Sequence, residues 1–411
     1  MDSRVRDQRT LAANVEELFP RLLAEMLPAV REIRHEIHRH PELAGNEFLT
    51  AELIRKSLAR THIKLEKPYL GTDVVGILQG GHPGPNVTLR ADIDALPIQE
   101  RTDVPWKSVI SGRIHSCAHD AHAAVLIGTA WLLDKIREEL PGSVRFVFQP
   151  GEENKCMGKA LVEAGAIDHP LPAACFAFHA FPHGNCGDVK VWNGMMTSWL
   201  KGFHLTIAAD ELFRQKLELA RSAAFLAEYF AYAQEKLVQN LQTQKQVQIR
   251  FGRYSSGSCG NVYPFDCEVE GSLRYMLEED GEKLRHSHED FLAGLAEKHK
   301  MFWKIEYGPV YLPVICNPLC SEIVRQTVES LGMNPVVNAE NAMISSDDFS
   351  FFLQKCPGTY FVVQFGTGAP YGSHSPYFDV NDDILNPAIL TMSCVAVRAL
   401  AALHENPRVF S

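Results

Sequence analysis

The sequence predicts an α/β protein with a mostly parallel or mixed sheet and a small α+β module inserted into it. Short apolar runs rich in β-branched residues alternate with helical segments in the first and last parts of the chain, which is typical of a sheet covered on both faces. The middle of the chain instead follows the order strand, helix, strand, strand, helix. Because 411 residues are too many for one compact core, we expect two domains.

The helices of the larger domain are predicted from apolar residues three and four positions apart and from residues that end a helix. A first helix should run from Leu22 to His40, because Pro41 disfavours helical backbone at the residue before it. Asp120 opens another, which Pro141 should end. Further helices are expected over 51–58, 320–331 and 387–403. Strands are expected over 74–78, 87–89, 144–148, 175–178 and 360–365.

The inserted module is predicted from the middle of the chain by the same patterns. Its strands are expected over 203–207, 246–251 and 267–273, and its helices over 223–237 and 282–298. The larger domain is therefore expected to comprise residues 1–195 and 310–411, and the module residues 196–309.

Charge and composition restrict the partners. A formal net charge of −10 argues against nucleic acid or an anionic membrane surface, so a small molecule or peptide is the expected partner. The first twenty residues contain charged side chains and lack the apolar stretch of a signal peptide, and no apolar run approaches the length that spans a bilayer. We therefore expect a cytoplasmic protein whose ten cysteines are reduced.

The run from Cys117 to Asp120 contains a thiol, the His119 imidazole and a carboxylate at the start of a predicted helix. The positive end of that helix should favour the thiolate, and zinc, manganese, cobalt or nickel would accept such mixed sulfur and nitrogen ligands. A buried cysteine beside a capping aspartate is the ordinary alternative for a single Cys-x-His triplet.

Further candidate residues follow the ends of predicted strands, and loops at the carboxyl ends of parallel strands commonly build active sites. Asp94 follows one strand, Glu152 and Glu153 follow the next, His179 ends a third, and His374 lies in a glycine-containing loop. Adjacent carboxylates can divide the work, one binding a metal and the other transferring a proton. Taken singly, each of these residues has an ordinary surface or buried role as its alternative.

Taken together, these stretches resemble the M20 metallopeptidase and amidohydrolase family. The similar branch contains N-acyl-amino-acid amidohydrolases, hippurate hydrolases and plant auxin-conjugate hydrolases. The resemblance extends over nearly the whole chain, through the runs at 34–43, 90–97, 117–120, 149–153, 179, 260–264, 347–350 and 374.

The resemblance implies a metallohydrolase domain with an inserted lid and dimerisation domain, and hence a homodimer. It implies that one or two divalent ions are bound by Cys117, His119, Glu153, His179 and His374. Glu152 would be the general base that deprotonates a metal-bound water, with Asp94 acting beside it. Asp94 and Asp120 would orient ligand histidines, whereas His35, His38 and His40 match a helix end and are expected to be structural. Asn261 and Arg274 would hold the carboxylate of an N-acyl amino acid or peptide-like substrate.

One stretch departs from the family pattern. The family carries a Gly-Gly-His-Ala stretch after the first strand of the module, and its histidine steadies the oxyanion in a neighbouring subunit's site. Residues 208–218 contain no histidine, His204 lies upstream within the strand, and Arg214 or Lys216 could supply a positive charge instead. We therefore expect an amidohydrolase with an altered oxyanion arrangement; the alternatives are a non-catalytic metal-binding homologue and a different reaction, such as amide formation.

Overall fold

The computed structural model describes residues 3–209, 226, 228–230, 237–261, 266–337, 342–366 and 372–410. The chain forms two compact units. The first unit comprises Met1–Met196, Val314–Asn341 and Asp348–Ser411, and the second comprises Thr197–Pro313 and Ala342–Asp347. The second unit is therefore inserted into the sequence of the first.

The described residues form strands and helices in the following order. The strands are β1 (Lys64–Leu65), β2 (Val74–Gln79), β3 (His82–Asp92), β4 (Pro141–Gln149), β5 (Ala174–Phe181), β6 (Val189–Val191), β7 (Gly194–Met195), β8 (Trp199–Ala209), β9 (Val247–Ser256), β10 (Asp266–Tyr275), β11 (Met301–Tyr311), β12 (Ile315–Cys316), β13 (Pro335–Val337) and β14 (Gly358–Gln364). The helices are α1 (Ser3–Arg39), α2 (Phe48–Leu58), α3 (His119–Lys135), α4 (Glu152–Lys155), α5 (Met157–Glu163), α6 (Val238–Asn240), α7 (Glu278–His299), α8 (Pro318–Ser330), α9 (Ser350–Leu353) and α10 (Leu385–Glu405).

The first unit contains an eight-stranded mixed sheet in the order β1-β2-β4-β3-β5-β14-β6-β13. Strands β4, β3, β5 and β14 are parallel neighbours, and Leu89 of β3 lies opposite Phe146 of β4 and Phe176 of β5. All nine residues of β4 and all seven of β14 are buried, as expected for strands covered on both faces. The predicted mixed α/β fold is confirmed.

Helix α10 belongs to the core of this unit. The segment Asp382–Glu405 is long and apolar enough to cross a membrane, but 83% of its most apolar window is buried inside the protein. It packs with α1 and α3 around residues such as Ile389 and Val395, both fully buried. A core helix of an α/β domain accounts for this composition.

Two helix ends differ from the predictions. α3 ends at Lys135, because the chain turns through a short 3-10 segment at Arg137–Glu139 and Pro141 already begins β4. α1 begins near residue 3 rather than at Leu22, and its earlier turns also bury apolar side chains at helical spacing, among them Val15 and Phe19. The periodicity that begins at Leu22 therefore covers only the later turns of the helix.

The second unit contains a four-stranded antiparallel sheet in the order β11-β8-β10-β9, packed against α7. β11 is not among the predicted strands; its burial alternates because apolar and polar residues alternate over most of 301–311. α7 begins at Glu278, four residues before the prediction, with three acidic residues in its first turn. Of the predicted helix 223–237, residues 226 and 228–230 are described and helical, and nearly all of the remainder lies outside the described residues.

Candidate metal centre

The candidate centre lies at the carboxyl edge of the central strands of the first unit. Because β4, β3 and β5 are parallel neighbours, their carboxyl ends lie at the same edge. Asp94 follows β3, Glu152 and Glu153 follow β4 as the first residues of α4, and His179 lies near the end of β5. The sequence therefore places four of the predicted residues on adjacent strand ends.

The other predicted residues reach the same edge through two loops. α3 begins at His119, and Ala118 before it has a left-handed backbone with φ 69°. The Sγ atom of Cys117 lies 3.5 Å from Nε2 of His179. His374 also has a left-handed backbone, and its amide donates a hydrogen bond of 2.8 Å to the carbonyl of Ser116, which brings the C-terminal loop beside Cys117.

Three overlapping groups of potential ligand atoms consist of predicted ligands and the predicted base, each with its atoms within 4.8 Å of one another. They are Cys117 with His119 and His179, Cys117 with Glu153 and His374, and His119 with Glu152 and Glu153. The structure thus brings together all five predicted ligands and the predicted base. Because Cys117 belongs to two of the groups, the arrangement offers ligands for two neighbouring divalent ions.

Hydrogen bonds set the tautomers of two histidines in a form suited to metal binding. Nδ1 of His119 donates to the carbonyl of Asp94 at 2.8 Å, and Nδ1 of His179 donates to the carbonyl of Ala180 at 2.7 Å. In its neutral form each ring can then offer the lone pair of its Nε2 atom to a metal ion. The donor set of a thiol, imidazoles and a carboxylate therefore fits zinc or another divalent transition metal.

Asp94 supports the two carboxylates as well as the histidine. Its Oδ1 accepts from the amide of Glu152 and its Oδ2 from the amide of Glu153, both at 3.1 Å. Asp94 and Glu152 are both more than 90% buried. The side chain of Asp94 thus fixes the backbone from which Glu152 and Glu153 extend, in addition to its contact with His119.

The charges of the metal-free cluster perturb its titrating groups. Burial, together with the carboxylates of Glu153 and Glu152, raises the pKa of the Cys117 thiol well above its usual range. The prediction that the helix start favours the thiolate is therefore wrong for the metal-free protein. Burial would lower the pKa of His119, but the carboxylates of Asp92 and Asp94 raise it to about 10. A divalent ion bound by these residues would supply the positive charge that the groups otherwise obtain from protons.

Sequence reasoning missed two members of the cluster, Asp92 and His122. Oδ1 of Asp92 lies 2.5 Å from Nδ1 of His122 and 3.6 Å from Nε2 of His119. Nε2 of His122 accepts a hydrogen bond of 2.9 Å from the amide of Ala180, next to His179. The spacing of His119 and His122, one helical turn apart, was the available signal.

Asp120 lies in a different network from the predicted one. Its Oδ2 accepts from Nε of Arg34 at 3.0 Å and lies 2.9 Å from Nδ1 of His38, and all three side chains are buried. Asp120 therefore holds the end of α1 rather than orienting a candidate ligand. His35 stacks on Trp106 with ring centroids 3.8 Å apart, in agreement with a structural role.

The predicted substrate residues lie in the second unit. Arg274 is on β10, and its guanidinium donates to the carbonyl of Ile344 at 3.4 Å. Asn261 is exposed and its Oδ1 accepts from Cys259 Sγ at 3.2 Å. His204 lies on β8 with Nδ1 3.8 Å from a Glu270 oxygen. Residues 210–218, which include Arg214 and Lys216, lie outside the described residues.

A cluster of thiol, imidazole and carboxylate side chains at the strand edge of a mixed α/β sheet is the kind of site that a metal-dependent hydrolase uses. The model of peptidase family M20/M25/M40 matches residues 88–398, and the chain belongs to this family. It is accordingly a hydrolytic enzyme that uses divalent metal to act on amide bonds.

Relatives of known name match almost the full length of the chain. An N-acetylcysteine deacetylase of Bacillus subtilis is 30% identical over 377 residues, covering 90% of this chain and 97% of that protein. An IAA-amino acid hydrolase of Arabidopsis thaliana, ILR1-like 5, is 29% identical over 384 residues, covering 91% and 87%. Among solved structures, a dinuclear metal-binding peptidase of the M20 family from Bacillus subtilis superposes with a TM-score of 0.72 and 27% identity, covering 92% of this chain and 99% of that chain.

Proposed function

We propose that this protein hydrolyses the amide bond of an N-acyl amino acid or a related amino-acid conjugate, with Glu152 as the general base. The observation that carries the proposal is the placement of Glu152 beside the candidate ligands, with a carboxylate oxygen within 4.8 Å of ligand atoms of His119 and Glu153. A metal cluster without such a neighbour would bind an ion but lack a group for proton transfer.

The proposed ligands are Cys117, His119, Glu153, His179 and His374. A divalent ion held by these residues would lower the pKa of a water molecule toward about 7 and polarise the scissile carbonyl. Glu152 would take a proton from the attacking water and deliver it to the leaving nitrogen. Because Glu152 is only 8% exposed, bulk water competes little with it for that proton.

Substrate selection is assigned to the second unit by the resemblance. Arg274 and Asn261 would bind the carboxylate of the amino-acid part, since a guanidinium can donate two parallel hydrogen bonds to a carboxylate. The names of the deacetylase and hydrolase relatives support a small acylated amino acid as substrate.

A homodimer formed through the second unit is also part of the proposal. β9 and β11 are the edges of its described sheet, and unpaired edge strands are suited to pairing between chains. Light scattering on the purified protein measures its mass directly, and a monomer at all concentrations would exclude this assembly.

The activity is tested with metal-replete protein and a panel of N-acetyl, N-benzoyl and indole-acetyl amino acids, by quantifying the amino acid released. Metal-dependent release from at least one member is expected. Tight metal binding without release from any member would overturn the proposed reaction and favour the non-catalytic or amide-forming alternative.

A further inference from the structure

We propose that Glu47 is a positioning residue that fixes the backbone of the turn before Glu152 and Glu153. Glu47 lies just before α2, far from the metal cluster in sequence, and its side chain is fully buried. Its Oε1 accepts from the amide of Gly151 at 3.0 Å. This inference rests on the proposed function for the roles of Glu152 and Glu153.

The turn at Gly151 needs such support. Gly151 has a left-handed backbone with φ 61°, and a Cβ atom at this position would lie 2.4 Å from Sδ of Met157. The turn leads into α4, which is only four residues long. The amides at the start of a helix have no partner within it, and so short a helix contributes little to their position.

Two buried carboxylates supply the missing acceptors. Glu47 binds the amide of Gly151, and Asp94 binds those of Glu152 and Glu153. Three consecutive amides are therefore bound by carboxylates from two separate parts of the chain. Their positions determine where the side chains of Glu152 and Glu153 begin.

Glu47 is itself held in one orientation. Its Oε1 also accepts from the amide of Gly45 at 2.8 Å, and its Oε2 accepts from the hydroxyl of Thr72 at 2.8 Å. Such fixed partners behind metal ligands commonly change metal affinity or activity by about 10–100-fold when they are removed. Glu47 belongs to none of the groups of potential metal ligands among the described residues, and its contact with the site is the hydrogen bond to the Gly151 turn.

The chain offers a matched control at the same helix. Glu42 accepts from the amides of Leu49 and Thr50 at 3.1 Å and 2.9 Å, so it also binds the start of α2. Its carboxylate contacts α2, whereas that of Glu47 contacts Gly151. Substitutions of the Glu42 side chain therefore weaken the start of α2 without removing an acceptor from the Gly151 turn.

The experiment compares Glu47→Ala and Glu47→Gln with Glu42→Ala and Glu42→Gln. Zinc or manganese affinity, kcat and KM, thermal unfolding and amide hydrogen exchange over 151–153 are measured for each. Glu47→Ala should weaken metal affinity and lower kcat by about 10–100-fold each, with a smaller change in KM and faster exchange at these amides. Glu47→Gln should recover part of the loss, because its amide oxygen can still accept from Gly151.

The Glu42 variants should lower the unfolding temperature without changing metal affinity, kcat or exchange at 151–153. The assignment would be overturned if the Glu47 and Glu42 variants lost metal affinity and kcat equally at matched folded fractions. It would also be overturned if Glu47→Ala kept the metal affinity and kcat of the parent protein. If Glu47→Ala does not fold, the same comparison between the two glutamine variants decides. Metal affinity is measured without substrate. If the parent protein is inactive, the proposed reaction is overturned, but the metal affinities of the variants still test the role of Glu47.

Discussion

Oε1 of Glu153 lies 3.2 Å from Nε2 of His374, although the two residues are separated in sequence by the whole inserted unit. His374 is the exposed member of the pair, with a side chain 52% accessible against 9% for Glu153. The side chains of α4 and of the C-terminal loop therefore meet only in the folded first unit. His374 is the exposed residue of the cluster, whereas Cys117, Glu153 and His179 are half-buried and His119 and Glu152 are buried.

Replacement of Cys117 by serine should reduce bound metal. Its sulfur belongs to two of the ligand groups, and a serine hydroxyl is a poorer ligand for zinc-like ions than a thiolate. We expect metal content after dialysis to fall and the dissociation constant to rise by at least about tenfold. Cys186→Ser is the control, because Cys186 is exposed and belongs to none of these groups. Equal metal content in the two variants would contradict the assignment of Cys117.

The glutamine variants of the adjacent carboxylates should behave differently. Glu152→Gln removes the proton acceptor and keeps the shape, so kcat should fall by about 10²–10⁴-fold with metal still bound. Glu153→Gln should instead weaken metal binding and thereby lower activity. Adding excess metal should restore part of that activity. Metal analysis and steady-state kinetics on both variants distinguish the roles. The opposite pattern would require the two assignments to be exchanged.

The sequence predicted the cluster better than it predicted the contacts around it. Of the five ligand candidates, Glu153 and His179 lie at the ends of parallel strands, which bring such positions to one edge whatever the details of packing, and the other three reach that edge through loops. The acceptor for the Gly151 amide could not be predicted, because Glu47 reaches it from before α2 through tertiary packing alone. The same holds for Asp120, whose partner Arg34 depends on how α1 crosses α3.

Stability should fall between about pH 6.5 and about pH 9 through His38. Burial disfavours its charged form, but the carboxylate of Asp120 outweighs this and raises the pKa of His38 from 6.5 to about 9. Because the folded pKa is the higher one, the stabilisation is complete below about pH 6.5 and is lost as pH rises through about 9. His38→Gln should therefore lower the free energy of unfolding most near pH 6. Near pH 10 the loss should be smaller by at least roughly 1 kcal/mol.

Denaturant unfolding of parent and variant across this range measures the difference directly. His62→Gln is the control, because its imidazole is 64% exposed and pairs with Asp134 at the surface, where such pairs contribute little. A His38→Gln cost that is the same at both pH values would show that the buried pair with Asp120 does not carry a proton.

Glycine should be tolerated better at Ala118 than at Ala121. Both alanines are fully buried, so each substitution loses one methyl group and adds chain entropy to the unfolded state. Ala118 alone has a left-handed backbone, which costs an L-residue about 1–2 kcal/mol and a glycine almost nothing. Ala118→Gly should thus destabilise by about 1–2 kcal/mol less than Ala121→Gly in chemical denaturation. If both glycine variants lose the same free energy of unfolding, the turn before His119 is unstrained.

Residues 208–218 contain no histidine. A family member with the Gly-Gly-His-Ala stretch has an imidazole to steady the oxyanion, and loss of one such donor costs about two to three orders of magnitude in rate. Simple N-acetyl and N-benzoyl amino acids should therefore react at least about a hundredfold more slowly here than with such a relative. Efficient turnover should be confined to a substrate that brings its own polar group to the oxyanion, or should depend on Arg214 or Lys216.

These cases are separated by steady-state rates over one substrate panel. The rates are measured for the metal-replete parent protein and for Arg214→Ala, Lys216→Ala and His204→Ala. If simple substrates react at ordinary rates and only His204→Ala abolishes the reaction, His204 is the oxyanion donor. That outcome would contradict our expectation from the position of His204 within β8.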